Sequence, residues 1–305
     1  GVILNGTRGM AGLLSGGGVY VATGASLTIA ASRMSDNEGN GISAAGGGVT
    51  VVGRALIIDA TQAQSTTGEG GLGVSVGQGA HVALTSARLS SNREVGIAVF
   101  SATASLQQVL VDDTQPRQSD GAHGTGVFLN LGASAEFDRV RVHGSRGNGV
   151  VIGDPASTLS ARDVVVDATG PGVLAQSAGG GTSPAVGVSC RGSLRWLAGR
   201  VTANAGFGVN VSQSGTARLV GVLIDSQVAA PQSLGGLGFT AAFGGHAAAA
   251  GCRLSANRVV ATAATEANSR LDLHGSVVDH TLPGLEGAGY AVAATKGGEI
   301  RVHDS

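Results

Sequence analysis

The sequence predicts an all-β chain, a right-handed parallel β-helix solenoid of roughly ten coils, and three observations carry that expectation. Short runs alternate apolar and polar residues. In residues 126–149, Val127 and Leu129 alternate with polar or outward positions, a Gly132-Ala133 corner follows, and Val140 and Val142 alternate again. Such runs are too short and too β-branched for helices, and a period of two marks a half-buried strand. Secondly, a glycine followed by an apolar residue opens a run repeatedly: Gly18-Val19, Gly48-Val49, Gly73-Val74, Gly96-Ile97, Gly126-Val127, Gly149-Val150, Gly172-Val173, Gly187-Val188, Gly208-Val209, Gly238-Phe239 and Gly289-Tyr290. The intervals 73–96, 126–149 and 149–172 are equal, and a fixed period of that size signals a solenoid. Thirdly, a closing segment recurs from Arg33 to Asn37, Arg88 to Asn92, Arg200 to Asn204 and Arg253 to Asn257.

Other repeat architectures fit less well. Leucine-rich repeats need LxxLxLxxN, and propeller blades need about 40 residues and four strands. The texture resembles instead the right-handed parallel β-helix, pectin-lyase-like superfamily, in its non-catalytic surface-protein type. The resemblance covers about residues 1–305 and rests on the repeat itself. It implies coils whose strands stack on the same strands of the next coil. It also implies that any catalytic residues project outward from one strand stack.

Composition agrees with a narrow interior. Glycine is 53 of 305 residues and aromatics are 3%, so Val, Leu, Ile and Ala must fill the core. The repeat runs nearly end to end, which favours one domain over 1–305. Repeat texture at both ends suggests a segment of a longer chain. A net charge of −1 with one lysine, Lys296, gives no field to attract nucleic acid or anionic lipid. No apolar run approaches the roughly 20 residues of a transmembrane helix. An extracellular or cell-surface location is implied by the resemblance alone.

Taken in order, the first coils carry the Gly-rich corners 15–18 and 45–48, matched later by 178–181. No Lys-Ser/Thr follows them, so they read as turns rather than phosphate cradles. Extra residues at 59–72, 113–125, 170–186, 226–237 and 279–288 all fall between a closing strand and the next opening one. Five loops should therefore line one edge, which in repeat proteins is often the binding face. The asparagines that end four coils suggest a partial ladder. Cys190 lies in an opening strand and Cys252 before a closing one, two or more coils apart. Their Cα atoms should exceed the roughly 7 Å limit for a disulfide, so both read as small buried hydrophobes. Residues 241–268 are Ala-rich and show the weakest repeat.

Candidate chemistry is sparse. Asp112, Asp113, Asp120 and His123 are the best acid–base group, since paired carboxylates near an imidazole suit glycoside hydrolysis. Polygalacturonases of the resembled superfamily pair Asp-Asp with Gly-His-Gly. Here the spacing is half a coil, Ala122 interrupts the triplet and no Arg-x-Lys follows, so a solvated loop is the better reading. The residues after each opening apolar position, Tyr20, Thr50, Ser75, Ala98, Phe128, Val151, Ser189, Asn210, Thr240 and Ala291, include no acid or base. The next outward row offers only Arg191. Arg191, Arg195 and Trp196 form a candidate carbohydrate contact, since Trp stacks on sugar rings and Arg pairs with uronates. No Gly-Gly-x-Gly-x-Asp repeat or Cys/His spacing calls for a metal, and nothing calls for a cofactor.

The expectation is thus a non-catalytic extracellular scaffold, adhesin-like or structural. A polysaccharide-active hydrolase or lyase is one alternative, and a self-stacking filament or stalk subunit is another. Polysaccharide or another surface protein is the expected partner.

Overall fold

A computed structural model describes residues 1–8, 17–173, 182–183, 185–228, 236–284, 287 and 289–304. Among them the chain is a parallel β-helix, each coil contributing three strands. The first stack is an 11-stranded parallel sheet running from Val19–Val21 to Tyr290–Thr295. The second runs from Ser26–Ala30 to Glu299–His303, and the third from Ile3–Asn5 to Val277–Asp279. Second and third stacks join into one 19-stranded sheet. The join occurs because Thr158–Asp167, Ser193–Thr202 and Thr216–Asp225 run through the corner between them. No helix among the described residues is long and apolar enough to cross a membrane.

Alternation of in and out residues builds the core. Val74, Val76, Val82, Leu84 and Leu89 of one coil all lie inside, as do Val127, Leu129, Ala135, Phe137 and Val142 of another. Large residues face small ones within a coil: fully buried Phe239 shares its layer with Ala241, Ala247 and Ala249. Stacking similar layers leaves each coil's apolar edge covered by its neighbours, which is why no coil need be stable alone.

The register corrects several sequence expectations. Successive inward partners along the first stack are Val19, Ile42, Val74, Ile97, Val127, Val150, Val188, Val209, Phe239, Thr262 and Val292. Ile42, not Val49, therefore opens its coil. Val49 is buried but sits at the corner entering Thr50–Arg54 of the second stack. Val292 rather than Tyr290 takes the final slot, and Thr262 fills a coil that the Ala-rich texture hid. Gly172-Val173 opens no coil, because it pairs antiparallel with Thr182–Ser183 in a two-stranded excursion.

The spacing of those partners is not uniform. The steps from Val19 to Ile42, Val74 to Ile97, Val127 to Val150, Val188 to Val209 and Phe239 to Thr262 are short. The steps between them, from Ile42 to Val74, Ile97 to Val127, Val150 to Val188, Val209 to Phe239 and Thr262 to Val292, are all longer. Short and long coils alternate strictly, so the structural unit is a pair of coils. Every one of the five expected insertions belongs to a long coil. The corner segments 9–16 and 174–181 and most of the loop tips beyond residue 170 lie outside the described residues.

The pairing is chemical as well as metrical. Each short coil opens its third strand with arginine, at Arg33, Arg88, Arg141, Arg200 and Arg253, and each long coil closes the same strand with aspartate. The ion pairs are Arg33–Asp59 (2.6 Å), Arg88–Asp112 (3.0 Å), Arg141–Asp167 (2.6 Å), Arg200–Asp225 (2.6 Å) and Arg253–Asp279 (2.7 Å). The arginines are about half exposed, so solvent screening keeps the contribution of each pair small. Burial tends to raise the carboxyl pKa of Asp59, but hydrogen bonds from Arg33 and Ser35 outweigh it and hold the group below its usual value.

Buried polar groups line the next corner. Asn37, Asn92, Asn204 and Asn257 are fully buried in short coils, with Thr61, Thr114, Thr169 and Gln227 in the long ones. The asparagines do not bond one another as a side-chain ladder would. Asn92 Oδ1 accepts from the Thr61 amide and its Nδ2 donates to the Ile58 carbonyl, both at 3.1 Å. Asn257 does the same toward Gln227 and Ile224. Each asparagine thus satisfies the backbone of the preceding coil where strand pairing stops.

Cys190 and Cys252 are free and buried, as expected. Burial pushes the Cys190 thiol up to about 12 and raises that of Cys252. Since the thiolate is the reactive form, the native chain should leave both untouched by a thiol reagent near pH 8. Labelling of two thiols on unfolding would be read by mass spectrometry.

Candidate functional site

The first stack turns three outward rows to solvent. Correcting the register replaces Thr50 by Ser43 and Ala291 by Ala293 in the central row, and adds Ala263. These changes introduce no acid or base. Among the described residues Arg191 is the single charged side chain on the whole face. Phe100 and Phe128 meet edge-to-face with ring centroids 5.7 Å apart, and Ala98, the register partner of Phe128, is fully buried.

A groove crosses this face between the 113–125 loop and Arg191. Its floor is Phe128 and Val151, its polar lining is Asn130, Asn148 and Ser189, and His123 and Arg191 stand at opposite sides. His123 is exposed and held at φ 64° where its loop returns to the strand that starts at Thr125. The groove offers an apolar floor for a ring face, two amides that donate and accept, an imidazole and a guanidinium. Among the described residues its lining holds no carboxylate.

The structure separates the residues that sequence grouped together. Asp112 lies on the third stack, bound to Arg88 in the ladder. Asp113 turns the chain at φ 51°, its Oδ1 accepting from Gln115 Nε2 at 2.6 Å and its Oδ2 from Ser91 Oγ at 3.4 Å. Asp120 is gripped by Arg117 at 3.0 and 2.6 Å and accepts from the Ala122 amide. That guanidinium, aided by the amide, holds the Asp120 carboxyl down at about 2. Of the four acid–base candidates, only His123 lines the groove.

The carbohydrate trio is also divided. Trp196 is a core residue, 3% exposed, whose Nε1 donates to the Ala198 carbonyl at 2.8 Å. It cannot stack on a sugar, and its role is to fill the coil where the corner is flattened. Gly199 makes room, since a Cβ there would lie 2.7 Å from the indole nitrogen. Arg191 faces the groove, whereas Arg195 projects from the second stack beside Arg218.

Sequence reasoning missed Glu94. Its Oε2 accepts the Gly70 amide at 2.8 Å, and Arg117 approaches its Oε1 at 3.6 Å. The Ser119 amide donates to the Gly68 carbonyl at 3.1 Å. One short-coil carboxylate thus ties together the loops of the two flanking long coils. Charge complementarity between residues one coil apart was the available signal, but it needs the coil register to be seen. Among the described residues no three His, Cys, Asp or Glu side chains converge as a metal site.

The family model for the right handed beta helix region matches residues 17–224. The chain belongs to this family. Among solved structures, this β-helix chain is similar to pectate lyase Pel9A at 12% identity over 85% of this chain and 70% of that one, with a TM-score of 0.47. It is similar also to the TibC-catalysed hyper-glycosylated TibA fragment, at 12% identity over 93% and 96% of the two chains, with a TM-score of 0.21. Comparison with curated proteins gives no match.

Proposed function

We propose that this β-helix is a non-catalytic scaffold of an extracellular or cell-surface protein, recognising polysaccharide or another surface protein as an adhesin does. The observation that carries this reading is the allocation of carboxylates. Glycoside hydrolysis needs two of them flanking the scissile bond, and a lyase needs a base and acidic groups around calcium. Among the described residues the groove has none. The nearby aspartates are engaged by Arg88, Gln115 and Arg117. A rigid core of stacked layers suits a spacer that presents a surface at a fixed distance. Nucleic acid is not a proposed partner, since the chain's net charge is −1.

The enzymatic reading would centre on His123, the one candidate that lines the groove. Incubation with a panel of neutral and acidic polysaccharides distinguishes the two readings. Retention without new reducing ends or unsaturated uronides is the expected result. Products at enzymatic rates would sink the scaffold reading.

A further inference from the structure

The third stack turns an alternating lattice to solvent. In its first outward row the arginines of the ion-pair ladder alternate with Ile57, Leu110, Val165, Leu223 and Val277, each the register partner of the arginines beside it. In the second row the ladder aspartates alternate with Ser35, Ser90, His143, Thr202 and Ser255. The ion pairs neutralise this face within each chain, yet Ile57 and Val277 stay 41% and 53% exposed. From Arg33 to Val277 the lattice extends about 43 Å and repeats every two coils, about 9.6 Å. A partner that follows it along the whole length needs the same period, and a second copy of the chain has it.

Two such faces match when the solenoids lie antiparallel, related by a two-fold axis between the strands of Arg141 and Val165. Arg33, Arg88, Arg141, Arg200 and Arg253 then face Val277, Leu223, Val165, Leu110 and Ile57 of the second copy. Each guanidinium stem meets an apolar side chain. In the second row each aspartate faces a serine, Thr202 or His143, the imidazole falling opposite Asp167 of the second copy.

The flanks fix the register, because their charges do not repeat. On the turn positions two residues before the first row, the charged side chains among the described residues are Arg139 and Asp163. The two-fold sets one against the other. Within each copy Asp138 holds Arg139 at 2.8 Å and Arg162 approaches Asp163 at 3.7 Å, so this flank is neutral. The turn positions after the second row carry Asp36, Asp113 and His280. Asp36, whose carbonyl accepts from Arg8 at 2.6 Å, falls opposite His280, which lies 3.4 Å from its own Asp279. Asp113 falls opposite Ala203. Among the described residues of these rows no like charges meet. Sliding one copy by one coil would set arginine on arginine, and sliding it by two would lose both flank pairs.

We propose that the third-stack face pairs with a second copy of the chain in a two-fold, antiparallel dimer. This deepens the scaffold reading, on which it rests, by naming the partner and the face that meets it. With its flanking turns the contact is about 1,000 Å² over both copies, the size of weak and reversible associations. Face-to-face pairing leaves no second such face free, so assembly stops at two.

Sedimentation equilibrium from roughly 5 to 500 µM, where an interface of this size is populated, tests it. Wild type should pass reversibly from monomer to dimer and form nothing larger. Ile57→Lys/Val277→Lys sets each lysine against an arginine and should raise the dissociation constant roughly tenfold or more. Ile57→Glu/Val277→Glu removes the same apolar surface but sets carboxylates against Arg253 and Arg33 of the second copy. It should dimerise at least as well as wild type, whereas an unspecific apolar patch would lose both variants alike. Both positions are exposed, so each variant should melt near the wild-type temperature. Tyr20→Lys, on the first stack, should behave as wild type. A monomer at every concentration, assembly beyond the dimer, an unaltered lysine variant, or equal loss in the lysine and glutamate variants would each overturn the proposal. The readout is mass in the absence of polysaccharide, whereas the scaffold reading falls on product formation, so the two fail separately.

Discussion

Gly73→Ala is expected to destabilise the chain by about 3 kcal/mol or more, read as a lower urea midpoint. The glycines that open coils are required for space. A Cβ on Gly73 would stand 2.5 Å from the Gly96 carbonyl oxygen and 2.9 Å from Asn92 Nδ2. The same clash with the next coil's carbonyl recurs at 2.5–2.6 Å for Gly18, Gly41, Gly96, Gly126, Gly149, Gly187 and Gly208. Overpacking a core against side chains costs about 1–3 kcal/mol. Here the obstacle is a carbonyl fixed in a sheet, which cannot swing away, so the upper end applies. The row ends at Ala261, whose coil presents the partly buried Val278 and is followed only by the last described coil.

Asn92→Ala should cost about as much, roughly 2–4 kcal/mol for two lost partners, for a different reason. Truncation orphans the Thr61 amide and the Ile58 carbonyl, both in residues no more than 1% exposed. An unsatisfied buried polar group costs about 1–3 kcal/mol. Because the Asn92 amide is one of the groups that crowd Gly73, the Gly73→Ala/Asn92→Ala variant should be less destabilised than the two single losses combined. A strictly additive double variant would show that the glycine and the asparagine do not share one packing site.

Much of this was legible in the sequence. Alternating runs, glycine openings and the Arg-to-Asn closing segments pointed to the fold class, the approximate coil number and the positions of the loops. The misread elements share a cause. Gly48-Val49 and Gly41-Ile42 have the same local pattern, and only pairing with Val19 and Val74 shows which one opens the coil. Gly172 repeats the interval from Gly126 to Gly149 by coincidence, since Gly172–Val173 pairs antiparallel with Thr182–Ser183 and not with the first stack. Local pattern sets strand and corner, whereas register is decided by neighbours a coil away.

The site was harder for the same reason. Trp196 read as a sugar-stacking ring because it is the chain's one tryptophan and stands among Arg191, Arg195 and Arg200 in the sequence. Its burial depends on Ala161 and Leu219 in adjacent coils and on the gap at Gly199. Asp112-Asp113 stood out as the best acid–base candidate within what read as a solvated loop, yet Asp112 belongs to a motif of two apolar residues, Asp, any residue and Thr or Gln. That motif recurs at Asp59, Asp167, Asp225 and Asp279, alternating with the arginine segments. The alternation was available in the sequence. Its meaning required knowing that the two motifs stack.

The claim that the conspicuous carboxylates of this chain hold coils together, and catalyse nothing, is tested most directly by Asp112→Asn. The variant and wild type would be compared in thermal unfolding and in incubation with the panel of neutral and acidic polysaccharides. The exchange removes the charge that faces Arg88 and keeps the side-chain shape. The midpoint should fall by about 1–2 °C, as expected for losing one half-exposed ion pair in a chain of this size, with no product from either protein. An unchanged midpoint together with product formation by wild type that the variant has lost would contradict the account.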